Sequence, residues 1–495
     1  MNIDNLKTIH FVGIGGIGIS AVAKLVVLQR KKVSGSDIKE SETLDELRKL
    51  GVRVFIGHNE KNLPPETELL VYSSAVPISN PERTAAKKQG IPQLSYFEFL
   101  GEISKTKKTI AISGTHGKST TTALVGLMLE AGGLNPTVIV GSKVKEFPHQ
   151  NLLFGKGDYL VVESCEHFKN FLHLHPQYLI INNVELDHTD VYKNLDDVEN
   201  AFVELTQKIL SNGLILINND SYGANEVLKK IKKIGLSCNI ETFGLLEGAN
   251  WLAYDILSSE GKQIFKIKKE HQFVGEFELH IPGKFNIYNS LAAAAMAMNL
   301  GISSGAIKKV LAEFNGIWRR FEKVGEINLE TMTLKVQQTH EVLPPAKNTK
   351  SNAIIISDYG HHPTAIKETI KAARDFYPTR RIVLVFQPHQ HNRTKCLFNE
   401  FVEALAEADF LILSEIFDVA GREEAEDKNV SSNELIKAIH QKYPNKSKNF
   451  IYGGNLEKTS QEISKNIKPN DLLIIMGAGD IYTIIPKIIY HQMVL

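Results

Sequence analysis

The stretch IHFVGIGGIGISAVAKLVVL, residues 9–28, joins an apolar run to a Gly-rich turn and then to a segment with helical spacing. Gly13, Gly15 and Gly18 fall in the pattern G-x-G-x-x-G. Glycine at these positions allows a tight turn and lets backbone N–H groups and a helix N-terminus approach a diphosphate. The pattern predicts strand, phosphate-approaching turn and helix in that order, the opening unit of an α/β sheet. Asp37 closes VSGSD at the end of the presumed second strand, where an acid can accept from a ribose hydroxyl. The motif leaves the nucleotide diphosphate unspecified, and a Gly-rich turn without a ligand is the plain alternative.

Outward from this unit, apolar runs ending in Gly, Asn or Asp recur along the chain. They are LLVYSSA, TIAISGTHG, YLVVES, YLIINNVELDH and LILINND, then AIIISDYG, RIVLVFQP, FLILSEI and LLIIMGAG. Strands buried on both faces by helices look like this, because no polar side is needed. The predicted class is therefore α/β with parallel sheets. PTAIKETIKAARDFY and LFNEFVEALAEADF carry apolar residues at helical spacing, and Ser431 with Glu434 has the form of a capping box. At about 150 residues per domain, 495 residues suggest three. One boundary is expected in the basic stretch GEISKTKKT (101–109) and another after WRRFE, dividing the chain into 1–105, 106–322 and 323–495. From about Glu322 to Asn352 the chain reads as irregular, with Pro344-Pro345 unable to continue a helix or a central strand.

Composition narrows the partners. With 57 Lys+Arg against 56 Asp+Glu there is no broad field of one sign, so nucleic acid and anionic membrane surfaces are not expected and phosphate recognition must be local. Three cysteines without a CxxC pair fit neither a disulfide framework nor a structural zinc site, and point to a reducing cytoplasm. No run approaches the roughly 18 residues needed to cross a bilayer, and no export signal is read at the N-terminus.

In open α/β sheets ligands gather at the carboxyl ends of strands, so chemistry is sought there. ISGTHGKSTTT (112–122) forms a short phosphate loop in which backbone amides cradle phosphate oxygens, Lys118 offsets their charge and Ser119 can ligate Mg²⁺. It is not a full Walker A motif, because Ile112 stands five residues before Gly117. ESCE and NNVELDH place Glu163, Glu166 and His188 at two more strand ends, suited to holding Mg²⁺, with Asp187 as a partner orienting His188. A His on Mg²⁺ is unusual, and His188 taken singly is equally an ordinary polar residue.

GKFNIYNSLAAAAMA (283–297) combines Asn with small residues that permit close approach of a flat base, and Arg320 in WRRFE can grip a phosphate bidentately. A packed Ala-rich helix with surface arginines explains the same residues. SDYGHHPT (357–364) and VFQPHQHNRTK (385–395) gather His361, His362, His389, His391 and Arg393. Neither has a zinc-site spacing, which favours a polar substrate pocket.

These motifs, with SSAV (73–76) and GAGDIY (477–482), stand in an order that resembles the Mur ligase family across almost the whole chain, on its alanine-adding branch. The resemblance implies a Rossmann-like domain for a UDP sugar, a central P-loop ATPase-type domain and a Rossmann-like C-terminal domain for the amino acid. It implies an ATP-dependent, ADP-forming ligase that joins L-alanine to UDP-N-acetylmuramate in peptidoglycan precursor synthesis, as a monomer or homodimer. By that likeness Gly13, Gly15, Gly16, Gly18, Asp37, Ser73 and Ser74 serve the UDP sugar. Gly114, Thr115, His116, Gly117, Lys118, Ser119, Thr120, Asn289, Arg320 and Asp358 serve ATP. Ser119, Glu166 and His188 hold Mg²⁺, Tyr359, His361 and Arg393 meet the amino acid, and His361 assists the amine.

Some residues depart from the family pattern. Ser119 stands where Thr is usual, Glu163-Ser-Cys-Glu166-His-Phe168 replaces E-A-D-E-S-D, and Gln390 replaces an Arg, which leaves the amino-acid preference open. The stretch 324–352 is longer than usual. Three other readings remain: a ligase attaching a recycled tripeptide to the same sugar nucleotide, a nicotinamide-dependent oxidoreductase based on G-x-G-x-x-G alone, and a non-catalytic nucleotide-binding regulator. The oxidoreductase leaves GTHGKS unexplained.

Overall fold

A computed structural model describes residues 3–259, 262–328, 333–336, 352–418 and 430–488. Its strands form three sheets. The first has five parallel strands in the order Arg53–Ile56, Lys32–Asp37, Thr8–Val12, Leu69–Tyr72, Gln93–Ser95. Thr8–Val12 lies at its centre, where the strand order reverses, and helix Ile17–Leu28 follows the Gly-rich turn at its carboxyl end. That crevice is where such sheets take their ligands.

The second sheet has ten strands. Lys108–Ser113 is paired in parallel with Tyr159–Glu163 on one side and Tyr178–Ile181 on the other, so the phosphate loop leaves a central strand. Leu214–Asn218 and Asn239–Gly244 continue the parallel part. Beyond them comes an antiparallel meander of Trp251–Ser259, Lys262–Lys269 and Gln272–Leu279. This meander shows no long continuous apolar run, for a physical reason. Lys262–Lys269 is half-buried, alternating between partly exposed and buried residues, so its apolar residues come singly.

The third sheet has seven strands, in the order Thr333–Val336, Glu322–Asn328, Asn352–Asp358, Asp471–Met476, Arg381–Phe386, Phe410–Ser414, Phe450–Gly454. The first two are antiparallel to their neighbours. The expectation of irregular chain from Glu322 is corrected here: Glu322–Asn328 is a strand with alternating burial, again half-buried and so without an apolar run. Pro344-Pro345 lies outside the described residues.

Each apolar run quoted from the sequence is a strand, and the two helical stretches form Pro363–Phe376 and Phe398–Leu405. The capping box is reciprocal: Ser431 Oγ accepts from Glu434 N at 3.2 Å, and Glu434 Oε2 accepts from Ser431 N at 2.7 Å. In the basic stretch 101–109, residues up to Ser104 finish helix Tyr96–Ser104 and the next strand begins at Lys108.

The first two sheets share a core. One apolar cluster runs from Ile9 and Phe11 through Phe99 to Val162, Ile181 and Ile217. Lys24 reinforces the join by donating to His149 O at 3.1 Å and Asn151 Oδ1 at 3.0 Å. On the other face of the second sheet, helix Lys118–Ala131 packs against the Ala-rich helix Lys284–Asn299, whose small side chains allow close approach. The third sheet has separate apolar clusters on its two faces.

Candidate active site

Between strand Lys108–Ser113 and helix Lys118–Ala131 the chain turns through Gly114 (φ +134°) and Gly117 (φ +82°), conformations open chiefly to glycine. A Cβ on Gly117 would lie 2.3 Å from Asn289 Oδ1, so the loop can press against the Asn-rich helix only without a side chain there. Asn183 Oδ1 accepts from His116 N at 2.7 Å and holds the loop from the neighbouring strand end.

Lys118 Nζ donates to both oxygens of Glu166 at 3.0 Å, and to the carbonyls of Gly114 and Thr115. Burial works to lower the Lys118 pKa, but Glu166 outweighs it, so the ammonium stays charged above its ordinary range. His188 Nε2 stands 3.7 Å from Glu166 Oε1. Burial pushes the His188 imidazole down to about 3 against the pull of Asp187, leaving a neutral ring with a lone pair to offer. Glu163, the other acid of ESCE, instead accepts from Gly141 N at 2.5 Å.

Beside this cluster lies a cavity of about 440 Å³ whose walls include Gly117, Ser119, Thr120, Asn289, Arg320 and Asp358. In the sequence these residues stand in separate motifs spread over more than two hundred positions, from Gly117 to Asp358, and the fold brings them to one space. Asp358 is buried and accepts from Phe321 N and Gly360 N, both at 2.7 Å. The Arg320 guanidinium lies 4.9 Å from the centre of the Tyr359 ring.

Where the second and third sheets meet, Asp187 Oδ1 accepts from Arg393 Nε at 3.1 Å and Nη2 at 2.9 Å, with both side chains buried. Two expectations change. Asp187 does not orient the His188 ring; it accepts from the His188 backbone N–H and otherwise holds Arg393. Arg393, expected as a cation for the amino acid, has its guanidinium engaged by Asp187 and by His389 O. His361 lies alongside, with Nε2 3.8 Å from Asp187 Oδ2 and Nδ1 3.3 Å from Tyr359 O. Donation from Nδ1 to that carbonyl leaves Nε2 as an acceptor. Burial first, and Arg393 second, push the His361 imidazole down to about 4, so it is neutral at pH 7.

At the first sheet, Gly13, Gly15, Gly16, Gly18, Asp37, Ser73 and Ser74 gather at adjoining strand ends. A Cβ on Gly13 would stand 3.0 Å from Ser73 Cβ, and one on Gly18 3.0 Å from the Tyr96 ring. Asp37 Oδ2 accepts from Gly15 N at 2.8 Å and so braces the turn.

Arg319, one of the two adjacent arginines of WRRFE, is not on the surface. It is buried, with φ +56°, and donates to the carbonyls of Gly477 and Gly479, while its guanidinium lies 4.3 Å from the Tyr482 ring centre. It clamps GAGDIY against the strand that carries Asp358. Partners some 160 residues away leave no mark on the local pattern.

The depressed pKa values predict a pH response. In the unfolded chain His188 and His361 take up protons near their ordinary 6.5, but in the folded protein only near 3 and 4. The unfolded state therefore binds more protons as pH falls through this window, so stability declines from about pH 6.5 towards 4. Urea midpoints should fall over that range in the wild type, and less steeply in His188→Gln.

Three family models match the chain: "Mur ligase family, catalytic domain" at residues 8–108, "Mur ligase middle domain" at 112–297 and "Mur ligase, glutamate ligase domain" at 346–479. The chain is 37% identical over 476 residues to the UDP-N-acetylmuramate–L-alanine ligase of Sulfurihydrogenibium sp., covering 96% of each. It is 36% identical to that of Alkaliphilus metalliredigens, covering 98% of this chain and 97% of the relative. Among solved structures it is similar to the UDP-N-acetylmuramate–alanine ligase of Thermotoga maritima, with a TM-score of 0.78, 27% identity, and 98% and 99% of the two chains covered. A murein peptide ligase of Psychrobacter arcticus shares the fold at a TM-score of 0.70 and 22% identity, with 98% of each chain covered. With family models and relatives matching nearly end to end, the chain belongs to the Mur ligase family.

Proposed function

We propose that this chain is an ATP-dependent ligase that joins L-alanine to the carboxylate of UDP-N-acetylmuramate, releasing ADP and phosphate in the cytoplasm. The observation that carries the proposal is the Lys118–Glu166–His188 cluster at the phosphate loop, beside a cavity lined by residues of the second and third sheets. Likeness over the full length to ligases named for these substrates gives the substrate class. The three sheets would serve the sugar nucleotide, ATP and the amino acid in turn, dividing the chain near residues 105 and 322.

A carboxylate acylates poorly, so one of its oxygens first attacks the γ-phosphorus of ATP, the bond to the β–γ bridging oxygen breaks and ADP leaves. Lys118 neutralises charge on the transferring group, and the loop amides from Gly114 to Thr120 orient it. Ser119, Glu166 and His188 fit a divalent cation: the second is a buried carboxylate, and the third a neutral imidazole 3.7 Å from it. When bound, Mg²⁺ there supplies further charge neutralisation between the reacting anions.

The amine then attacks the carbonyl carbon of the acyl phosphate, and phosphate leaves as the amide forms. His361 Nε2 can accept a hydrogen bond from that amine. A pKa near 4 makes it an orienting acceptor more than a strong base. Gln390 stands near this region where the family pattern has Arg, so alanine is tested against other amino acids.

Phosphate release should be measured with UDP-N-acetylmuramate and ATP against glycine, L-alanine, L-serine and the L-Ala-D-Glu-diaminopimelate tripeptide. Release with alanine and little with the tripeptide is expected. Release with the tripeptide alone would assign the recycling reaction, and none with any amine would leave a nucleotide-binding regulator.

A further inference from the structure

Glu166 is followed by His167, and this second imidazole at the cation-holding edge has no place in the chemistry above. Its ring lies over that of His188, with centroids 4.4 Å apart and an interplanar angle of 31°. The Phe168 ring centroid lies 4.3 Å from that of His167, at an interplanar angle of 51°. His167 Nε2 stands 2.9 Å from Asp190 Oδ2. His167, His188 and Asp190 each bring one donor atom within 4.8 Å of the other two.

Resting on the reading of Glu166 and His188 as cation ligands, we propose that His167, His188 and Asp190 form a nitrogen-rich site for a borderline divalent transition-metal ion of the Co²⁺ or Zn²⁺ class. Three observations carry it. The first is donor chemistry. Mg²⁺ takes oxygen ligands and keeps much of its water, whereas two imidazoles and a carboxylate suit borderline ions.

The second is spacing. With metal–ligand bonds of about 2.1 Å, two donors stand roughly 3.4 Å apart in tetrahedral geometry, so donors lying within 4.8 Å close on an ion through side-chain shifts of up to about 1.4 Å. The third is the backbone. Phe168 (φ +51°), Lys169 (φ +54°) and His188 (φ +52°) are left-handed and none is glycine. Such backbone conformations are strained for residues with a side chain and collect at functional sites. Here they flank two imidazoles whose centroids lie 4.4 Å apart. A lone His167–Asp190 hydrogen bond would explain one ring nitrogen but not the approach of the second ring.

The groups facing the cluster also admit a cation. Asp190 stands beside His167, Glu166 Oε1 is 3.7 Å from His188 Nε2, and the nearby Lys118 ammonium is already held by Glu166. The site would therefore set which cation the enzyme prefers, and would let a trace transition metal compete with Mg²⁺ for His188.

The test is calorimetric titration of the full-length protein without nucleotide, using CoCl₂ and MgCl₂, together with visible absorption of the Co²⁺ form. Wild type should bind one Co²⁺ at least tenfold more tightly than Mg²⁺. His167→Ser and His167→Gln should each weaken Co²⁺ binding by about 10–100-fold and shift its visible bands, with Mg²⁺ affinity changed less than about twofold. Asp190→Asn should weaken Co²⁺ binding too. Unchanged Co²⁺ affinity and spectrum in both folded His167 variants would overturn the proposal. His188→Ala separates the two levels: if it binds both ions as wild type does, the cation role of His188 also falls. If it loses both while His167→Ser loses neither, only the His167 assignment falls.

Discussion

Lys118→Ala is expected to lower ADP formation by at least about 10²–10³-fold while binding of the sugar nucleotide survives. A single positioned group that meets developing charge in a dry site contributes on that scale. Lys118 is such a group: its ammonium is held in place by Glu166 and by the carbonyls of its own loop, so little reorganisation is needed when phosphate oxygens arrive. The sugar-nucleotide residues lie on another sheet, with the shared apolar core between, and should not respond. Loss of the lysine leaves Glu166 buried without its cation, which takes up a proton more readily. Thermal unfolding must therefore accompany the kinetics. A folded Lys118→Ala protein that turns over ATP near the wild-type rate would remove the phosphate-loop assignment.

Asp187→Asn should have the largest effect on structure. The Asp187–Arg393 pair is buried on both sides and joins the NNVELDH strand end to the FQPHQHNRT loop. Removing one partner leaves an unpaired buried charge, a change that costs about 3–5 kcal/mol in comparable pairs. Unfolding in urea should shift accordingly, and hydrogen exchange should rise first in helix His391–Cys396, which carries Arg393. The double variant Asp187→Leu with Arg393→Met tests the cause. Replacing both charges by apolar groups should recover most of the stability, because no charge is left buried alone, while turnover stays low as His361 loses its neighbour. If Asp187→Asn unfolds at the wild-type midpoint, the pair does not hold the two sheets together.

The mechanism links these effects. Lys118, Glu166 and His188 belong to the second sheet, whereas His361 and Arg393 come from the third, and Asp187 is the residue that ties one set to the other. The ion pair joins the second sheet to the third, with His361 Nε2 3.8 Å from Asp187 Oδ2.

Some of this was legible along the chain. Strands covered on both faces need apolar side chains throughout, so TIAISGTHG, YLVVES and LLIIMGAG declared themselves as parallel strands, and the phosphate loop followed from glycines whose φ other residues resist. Ser431 and Glu434 were legible because a capping box is a contact between neighbours in sequence. The meander at 251–279 and strand Glu322–Asn328 were not, since half-buried strands show only alternation, which charged residues on the open face obscure.

Local sequence by itself determined the α/β class, the positions of the phosphate-binding turns and the residue types offered at strand ends, because each depends on neighbours within one turn or one strand. Only the tertiary structure decided what those residues do to one another. Asp37 braces its own turn, Arg393 is held by Asp187, Arg319 is a buried clamp, and the His167 ring lies against that of His188. The physical reason is range: charge pairing, desolvation and ring stacking act over a few ångströms of space, and the partners here lie 21 to 206 positions apart in the chain.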